Sequence, residues 1–150
     1  MALLLRKRLI VIETESSYGT DPTPDGADAV LVRDLSITPQ SSDVVSRDLI
    51  RPFLGASQQL LANTRVECTF SVELAGSGAA GTAPQYGKAL KACGLPETVV
   101  ASTSVTYDPV SASFSSVTIH YMIDGVRHKM TGCRGNVALT AHVGEIPTLD

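Results

Sequence analysis

Between residues 64 and 74 the chain alternates without a break. Val66, Cys68, Phe70, Val72 and Leu74 take one side, and Arg65, Glu67, Thr69, Ser71 and Glu73 take the other. Period two sends successive side chains to opposite faces, so this stretch is a strand with one buried face and one wet face. A second mark of the same kind is Asp124-Gly125, set between the strand-like runs 114–123 and 126–132. Asp-Gly between apolar runs is the strongest short-range hairpin signal, because both turn residues must accept positive φ. A two-residue turn there pairs Ile123 with Val126, Tyr121 with His128, and Ile119 with Met130, which defines an apolar face. Thr118, His120, Met122, Arg127, Lys129 and Thr131 take the opposite face. His120 is thus expected across from Lys129 on a polar, slightly basic face, and His128 on the core side beside Tyr121.

The remaining segments extend the β pattern. Residues 28–38 read as a strand closed by Pro39, residues 97–107 are rich in Val, Thr and Ser, and a last strand spans roughly 136–143 with Val137, Leu139, Ala141 and Val143 on one face. Residues 3–13 are apolar with a basic interruption, read as extended, and run into Glu13 and Glu15. One helix is expected over about 84–93. Tyr86, Ala89, Leu90 and Cys93 form its apolar stripe, Thr82 and Gln85 have capping-box spacing, and Gly94 with Pro96 ends it. Residues 40–63 show no clean periodicity yet carry Val44, Val45, Leu49, Ile50, Phe53, Leu54, Leu60 and Leu61. Connections beyond about 12–15 residues are uncommon in compact domains. This one is too apolar to be simply disordered, so it packs on its own domain or waits for a partner. The expected fold is mainly β: an antiparallel sandwich or barrel subunit with one flanking helix.

A chain of 150 residues suits a single domain over 1–150, with an N-terminal arm at 1–27 and the long 40–63 loop. It can bury about 70% of its extended-state surface and needs neither disulfide nor metal to fold. A net charge of −3 argues against non-specific binding to nucleic acid or anionic membrane, though it leaves room for a local basic patch. No apolar run reaches the length of a membrane-spanning helix. Arg6-Lys7-Arg8 interrupts the N-terminal apolar run, and no small-residue cleavage site follows, so the segment reads as a strand and not as a signal peptide. The cysteines, Cys68, Cys93 and Cys133, are odd in number and contain no CxxC, which fits a reducing compartment.

Catalytic patterns fare poorly. Gly76-Ser77-Gly78-Ala79-Ala80-Gly81 has the spacing of a dinucleotide fingerprint. The strand before it alternates, however, where a Rossmann first strand is buried on both faces, and one helix follows where several βα units are needed. The histidines lack metal-ligand spacing, His120 and His128 fall on opposite hairpin faces, and there is no GxSxG elbow. No visible feature activates a thiol for Cys–His chemistry. No enzyme activity, cofactor or metal is therefore expected. Arg47, Asp48, Ile50, Arg51, Phe53 and Leu54 form a different kind of candidate, because Arg beside exposed aromatic and aliphatic side chains has the composition of an interface hot spot. His120, Arg127 and Lys129 are a second candidate set, a polar face that lines a lumen or meets solvent.

An ordered set of segments resembles the tail tube proteins of long-tailed bacteriophages. It comprises Glu15-Ser16-Ser17-Tyr18-Gly19-Thr20-Asp21, Val32-Arg33-Asp34-Leu35-Ser36-Ile37-Thr38-Pro39, Ile50-Arg51-Pro52-Phe53-Leu54-Gly55-Ala56, and Val72-Glu73-Leu74-Ala75-Gly76-Ser77-Gly78 leading into Gly81-Thr82-Ala83-Pro84. Ala92-Cys93-Gly94, Ser104-Val105-Thr106-Tyr107, Asp124-Gly125 and Gly144-Glu145-Ile146-Pro147 complete it. The resemblance implies a β-sandwich subunit with a flanking helix. It implies homo-hexameric rings stacked into a hollow tube, with inner sheets joined edge to edge and genomic DNA passing through the lumen without specific binding. Implied partners are the tape-measure, tail-terminator and baseplate or tail-tip proteins. The implied location is the virion tail, assembled in the host cytoplasm, with no membrane contact. Relatives of this type usually continue past Glu145-Ile146-Pro147 into a further strand, whereas this sequence stops at Asp150.

Physical considerations agree with the resemblance. Open sheet edges invite association, and ring closure pairs them. A head-to-tail contact that does not close builds a filament. Two other classes stand beside it. A monomeric β-sandwich binding module for carbohydrate or host protein would also explain the strands, although a chain with no Trp, four Tyr and three Phe is poorly supplied for sugar stacking. A small nucleotide-dependent enzyme using the glycine loop is the other.

Overall fold

The computed structural model describes residue 4 and residues 6–150. Residues 3 and 5 of the expected N-terminal strand, and residues 1–3 and 5 of the segment weighed as a signal peptide, lie outside the described residues. The chain forms two compact units: one holds the residues up to Arg33 together with Ser71–Asp150, and the other is Asp34–Phe70. The fold is mainly β, with antiparallel sheets and one short helix.

The core of the first unit is a four-stranded sheet in the order β2-β1-β7-β8. Its strands are β1 (Arg8–Thr14), β2 (Ala29–Val30), β7 (Val117–Ile123) and β8 (Val126–Cys133). β1 runs antiparallel to β7, from Arg8 opposite Ile123 to Thr14 opposite Val117. Ile10, Val11 and Ile12 are all buried although neighbours in a strand point to opposite faces. A strand inside a sheet covered on both sides reads as a continuous apolar run, as residues 9–12 do. The described part of the N-terminal segment thus includes an inner strand of the core, β1.

The β7–β8 hairpin has the expected register: Ile123 faces Val126, Tyr121 faces His128, and Ile119 faces Met130. Asp124 and Gly125 both have positive φ, as a tight two-residue turn requires. The sidedness differs from expectation. Thr118 and His120 are as buried as Val117 and Ile119, since the chain after β1 crosses their face. His128 stacks on Tyr121, with ring centroids 5.9 Å apart, yet is exposed and not in the core.

Helix α1 covers Gly87–Ala92, shorter than the expected 84–93. The Thr82–Gln85 capping box does not form; Tyr86 occupies the N-cap without a side-chain bond. The C-terminal end is as read. Leu95 N donates to Leu90 O and Gly94 N to Lys91 O, a Schellman closure around Gly94. Residues 97–107 resolve into a hairpin of β5 (Glu97–Val100) and β6 (Ser104–Tyr107). The expected 136–143 strand reduces to β9 (Leu139–Thr140), which pairs with β10 (Thr148–Leu149). β10 in turn pairs with the base of β4 through Leu149–Val72 and Thr148–Glu73.

The second unit overturns the reading of 40–63 as a loop. Strand β3 covers Arg33–Arg47 and strand β4 covers Gln58–Glu73, so only 48–57 is irregular. β3 continues past Pro39, which was expected to close it. It is an edge strand, in a sheet ordered β3-β4-β10-β9, and an edge has ladder positions that need no N–H donor. Asn63 Nδ2 donates to Asp43 Oδ2 at 2.9 Å across the ribbon, and Arg47 donates to Gln58 at 3.2 Å near its end. Periodicity failed here because the ribbon buries neither face, so neither had to be uniformly apolar.

The glycine-rich loop serves the first unit. Ser77 Oγ donates to Thr82 O at 2.7 Å and closes the loop on itself, and α1 begins only at Gly87. Gly81 has φ +69°, and a Cβ there would meet Ser102 N at 2.4 Å and Val100 O at 2.6 Å. Backbone atoms cannot move aside as a flexible side chain would. Gly81→Ala is therefore expected to lower the urea unfolding midpoint by the equivalent of about 2 kcal/mol or more. Gly76→Ala, whose Cβ would meet open space, should stay within about 0.5 kcal/mol of wild type.

Candidate assembly interface

Asp34–Phe70 contains no buried residue. Its paired strands, at about 3.3 Å per residue, make a ribbon roughly 45 Å long. Val44, Val45, Leu60, Leu61 and Val66 stand exposed along it. At the tip, Ile50 and Leu54 have relative exposures of 104% and 105%, and Leu49 and Phe53 are also exposed. A two-stranded ribbon has no second layer to cover its apolar side chains, and such ribbons are marginal on their own. These exposed apolar side chains make the ribbon a candidate interaction surface.

The candidate residues Arg47, Asp48, Ile50, Arg51, Phe53 and Leu54 all fall at this tip. Arg47 ends β3 and donates to Gln58. The Asp48 carboxylate accepts from Ser46 Oγ at 2.6 Å. The Arg51 guanidinium lies 5.9 Å from the centre of the Phe53 ring, close enough for a cation–π contact. The tip thus offers four large apolar side chains, Leu49, Ile50, Phe53 and Leu54, together with Arg47 and Arg51.

The second candidate set is not brought together as one face. His120 is 1% exposed, whereas Arg127 and Lys129 are exposed on edge strand β8. His120 Nε2 lies 3.3 Å from Asp21 Oδ1, within ion-pair distance but without hydrogen-bond alignment. Asp21 Oδ2 is 3.1 Å from Lys129 Nζ. Asp21 therefore sits between the buried imidazole and the exposed ammonium, and holds the loop after β1 against the hairpin.

A carboxylate that sequence reasoning read only as a strand end organises this region. Glu15 is 9% exposed and collects four donors: Ser116 Oγ at 2.6 Å, Thr118 Oγ1 at 2.7 Å, Gly132 N at 2.7 Å and Gly19 N at 2.8 Å. Gly132 can donate because the β7–β8 register shifts between Val117 and Ile119, and the shift frees a backbone N–H from the ladder. Its φ is +67°, and a Cβ there would press on the Tyr18 ring at 3.0 Å. Burial pushes the Glu15 pKa up, but the bonds from Gly132, Ser116, Thr118 and Gly19 outweigh it and hold the carboxyl at about 2. Nearby, Lys88 on α1 bridges Glu13 on β1 and Asp28, which pins the helix to the sheet. Only the order Glu15-Ser16-Ser17-Tyr18-Gly19, an acid two residues beyond an apolar strand and followed by turn formers, hinted at this network.

The thiols of Cys68 and Cys93 are not activated. Burial pushes Cys68 up to about 11 and raises Cys93 as well, the opposite of what a nucleophilic cysteine needs. Among the described residues no helix is long and apolar enough to cross a membrane.

The chain is thus a mainly β subunit with exposed apolar side chains along its ribbon. Over residues 6–150 the chain matches the family described as phage tail tube protein. It belongs to that family and is a structural component of the virion tail. No curated protein and no solved structure matches it.

Because the Glu15 pKa is depressed on folding, its contribution to stability is complete above the ordinary carboxylate value. It is lost as pH falls through that value toward about 2. Glu15→Gln is expected to cost on the order of 2–3 kcal/mol at pH 7, read from urea unfolding. It should also flatten the loss of stability between about pH 4.5 and pH 2 relative to wild type.

Proposed function

We propose that this tail tube subunit closes into hexameric rings that stack into a hollow tube, and that the β3–β4 ribbon makes the contact between rings. The observation that carries this reading is the ribbon itself: 37 residues, Asp34–Phe70, none of them buried. A chain that keeps these apolar side chains exposed to water gains free energy by covering them with protein. The edge strands β3 and β8 add unpaired backbone groups of the kind that ring closure would satisfy.

In this reading the tube conducts the genome without gripping it. A strongly basic bore would hold DNA through counterion release, and a net charge of −3 per subunit suits a conduit that does not. In this proposal Arg127 and Lys129, exposed on β8, meet the lumen or solvent, while His120 is buried. Assembly in the host cytoplasm, with tape-measure, terminator and tail-tip proteins setting length and ends, completes the proposal.

Replacing residues 49–56 by Asn-Gly keeps both strands and removes the apolar tip. In negative-stain electron microscopy over a concentration series, wild type is expected to form tubes and the variant only rings or monomers. Variant tubes of normal length would overturn the ribbon's role.

A further inference from the structure

We infer that the four-stranded sheet of the first unit joins that of the next copy edge to edge, the cationic strand β8 of one copy lying against β2 and the acidic turn before it in its neighbour. This rests on the ring reading above and names the two surfaces that would close the ring. The order β2-β1-β7-β8 puts β2 at one edge of the sheet and β8 at the other. Every neighbouring pair in it is antiparallel, so direction alternates and the two edge strands run opposite ways. A β8 set beside the β2 of the next copy continues that alternation, and the joint is itself antiparallel. One row crosses the whole sheet: Ala29 lies opposite Val11, Val11 opposite His120, and His120 opposite Lys129. Carried across the joint, this row brings Lys129 to Ala29, the residue after Asp28.

The two edges carry opposite charge. From Val126 to Arg134 the chain holds Arg127, Lys129 and Arg134 and no carboxylate, and Arg127 and Lys129 are exposed. Asp21 offsets one of these cations, at 3.1 Å from Lys129 Nζ. Between Arg8 and Arg33 there is no Lys or Arg. β2 is entered there through the 3-10 turn Gly26–Asp28, which exposed Asp25 caps. The Asp28 carboxylate accepts from Asp25 N and, with Glu13, meets the single ammonium of Lys88, so three carboxylates stand against one cation. Glu13 pairs with Thr118, Lys129 with His120 and Arg127 with Met122, and those three partners alternate along β7. Glu13, Lys129 and Arg127 therefore project from one face of the sheet, and the opposite charges meet on the same side of a joint.

β2 has only two residues, so backbone rungs alone select a partner weakly and charge decides which edge meets which. Two β8 edges, or two β2 edges, would set like charges together. The contact is thus heterologous, of the kind that a rotation closes into a ring. Closing a sheet staggers its strands, so the match is between a cationic strand and an acidic turn and not between one fixed pair of residues. Arg127 and Lys129 then lie at the joint, where the face open to lumen or solvent passes from one copy to the next.

The test is charge reversal, read by negative-stain electron microscopy as the protein concentration at which rings appear. Arg127→Glu and Asp25→Lys are each expected to raise that concentration about tenfold or more, since like charges brought together at an interface are costly. Asp25 also caps its turn by accepting from Ala27 N at 2.7 Å. Ala27→Lys, at an exposed position, keeps that cap while adding a cation to the same turn, and is expected to act in the same direction. Matching thermal melts of the unassembled variants check that they fold. Arg127→Glu and Asp25→Lys combined in one chain are expected to bring the threshold back to within about threefold of wild type. Wild-type thresholds for both Arg127→Glu and Ala27→Lys would overturn the edge assignment, and so would a double variant as defective as the single ones. If wild type forms closed rings in those cases, ring closure survives and only its surfaces are wrong. A wild type that forms no ring at any concentration would overturn both readings.

Discussion

The Glu15 carboxylate is the interaction on which the first unit depends. A single ionised side chain engages two hydroxyls of the β7 region, a backbone N–H freed by the bulge in β8, and the N–H of Gly19 in the crossing loop. It ties three segments that are far apart in sequence. Without it the loop after β1 has no reason to lie across Thr118 and His120, and that face of the sheet would stay wet. Hydrogen bonds to a charged acceptor are stronger than neutral ones, and a buried carboxylate left unmatched would be costly, so the network is specified as a whole. Asp21 and the Lys88 bridge extend the same arrangement to the hairpin and the helix.

The two units divide the physical work. The first spends its apolar residues on itself: Ile10, Val11, Ile12, Val117, Ile119 and Met130 vanish from solvent. The second keeps Ile50, Phe53, Leu54 and the side chains along the ribbon on the surface. An element with few buried contacts sits at the low end of local stability and is readily ordered by a partner. Membership of the phage tail tube protein family gives this exposed surface its context.

Local chemistry was legible wherever one face of an element is buried. The register of the Asp124-Gly125 hairpin and the closure of α1 at Gly94 could be read directly; the alternation at 64–74 marked a strand, but of its expected buried face only Val72 is buried, and Val66 and Leu74 stay exposed. The tip residues Arg47 to Leu54 stood out by composition. The ribbon that carries them was half legible: residues 64–70 alternate, whereas residues 40–63 show no clean period, since a strand pair that buries neither face is not obliged to keep one. Pro39 misled for a related reason: a proline ends a strand only where its missing N–H is needed, and on an edge it is not.

Composition and period by themselves determined that this chain is β, that it has one helix, where its hairpin turns, and which apolar residues lack a home in it. Only the tertiary structure decided that both faces of the β7 strand are covered, that Glu15 is a buried hub, and that His120 belongs to the core and not to a basic surface. The reason is distance along the chain. Glu15 meets Ser116, Thr118 and Gly132 across more than a hundred residues, and no window of local sequence contains both partners of such a bond.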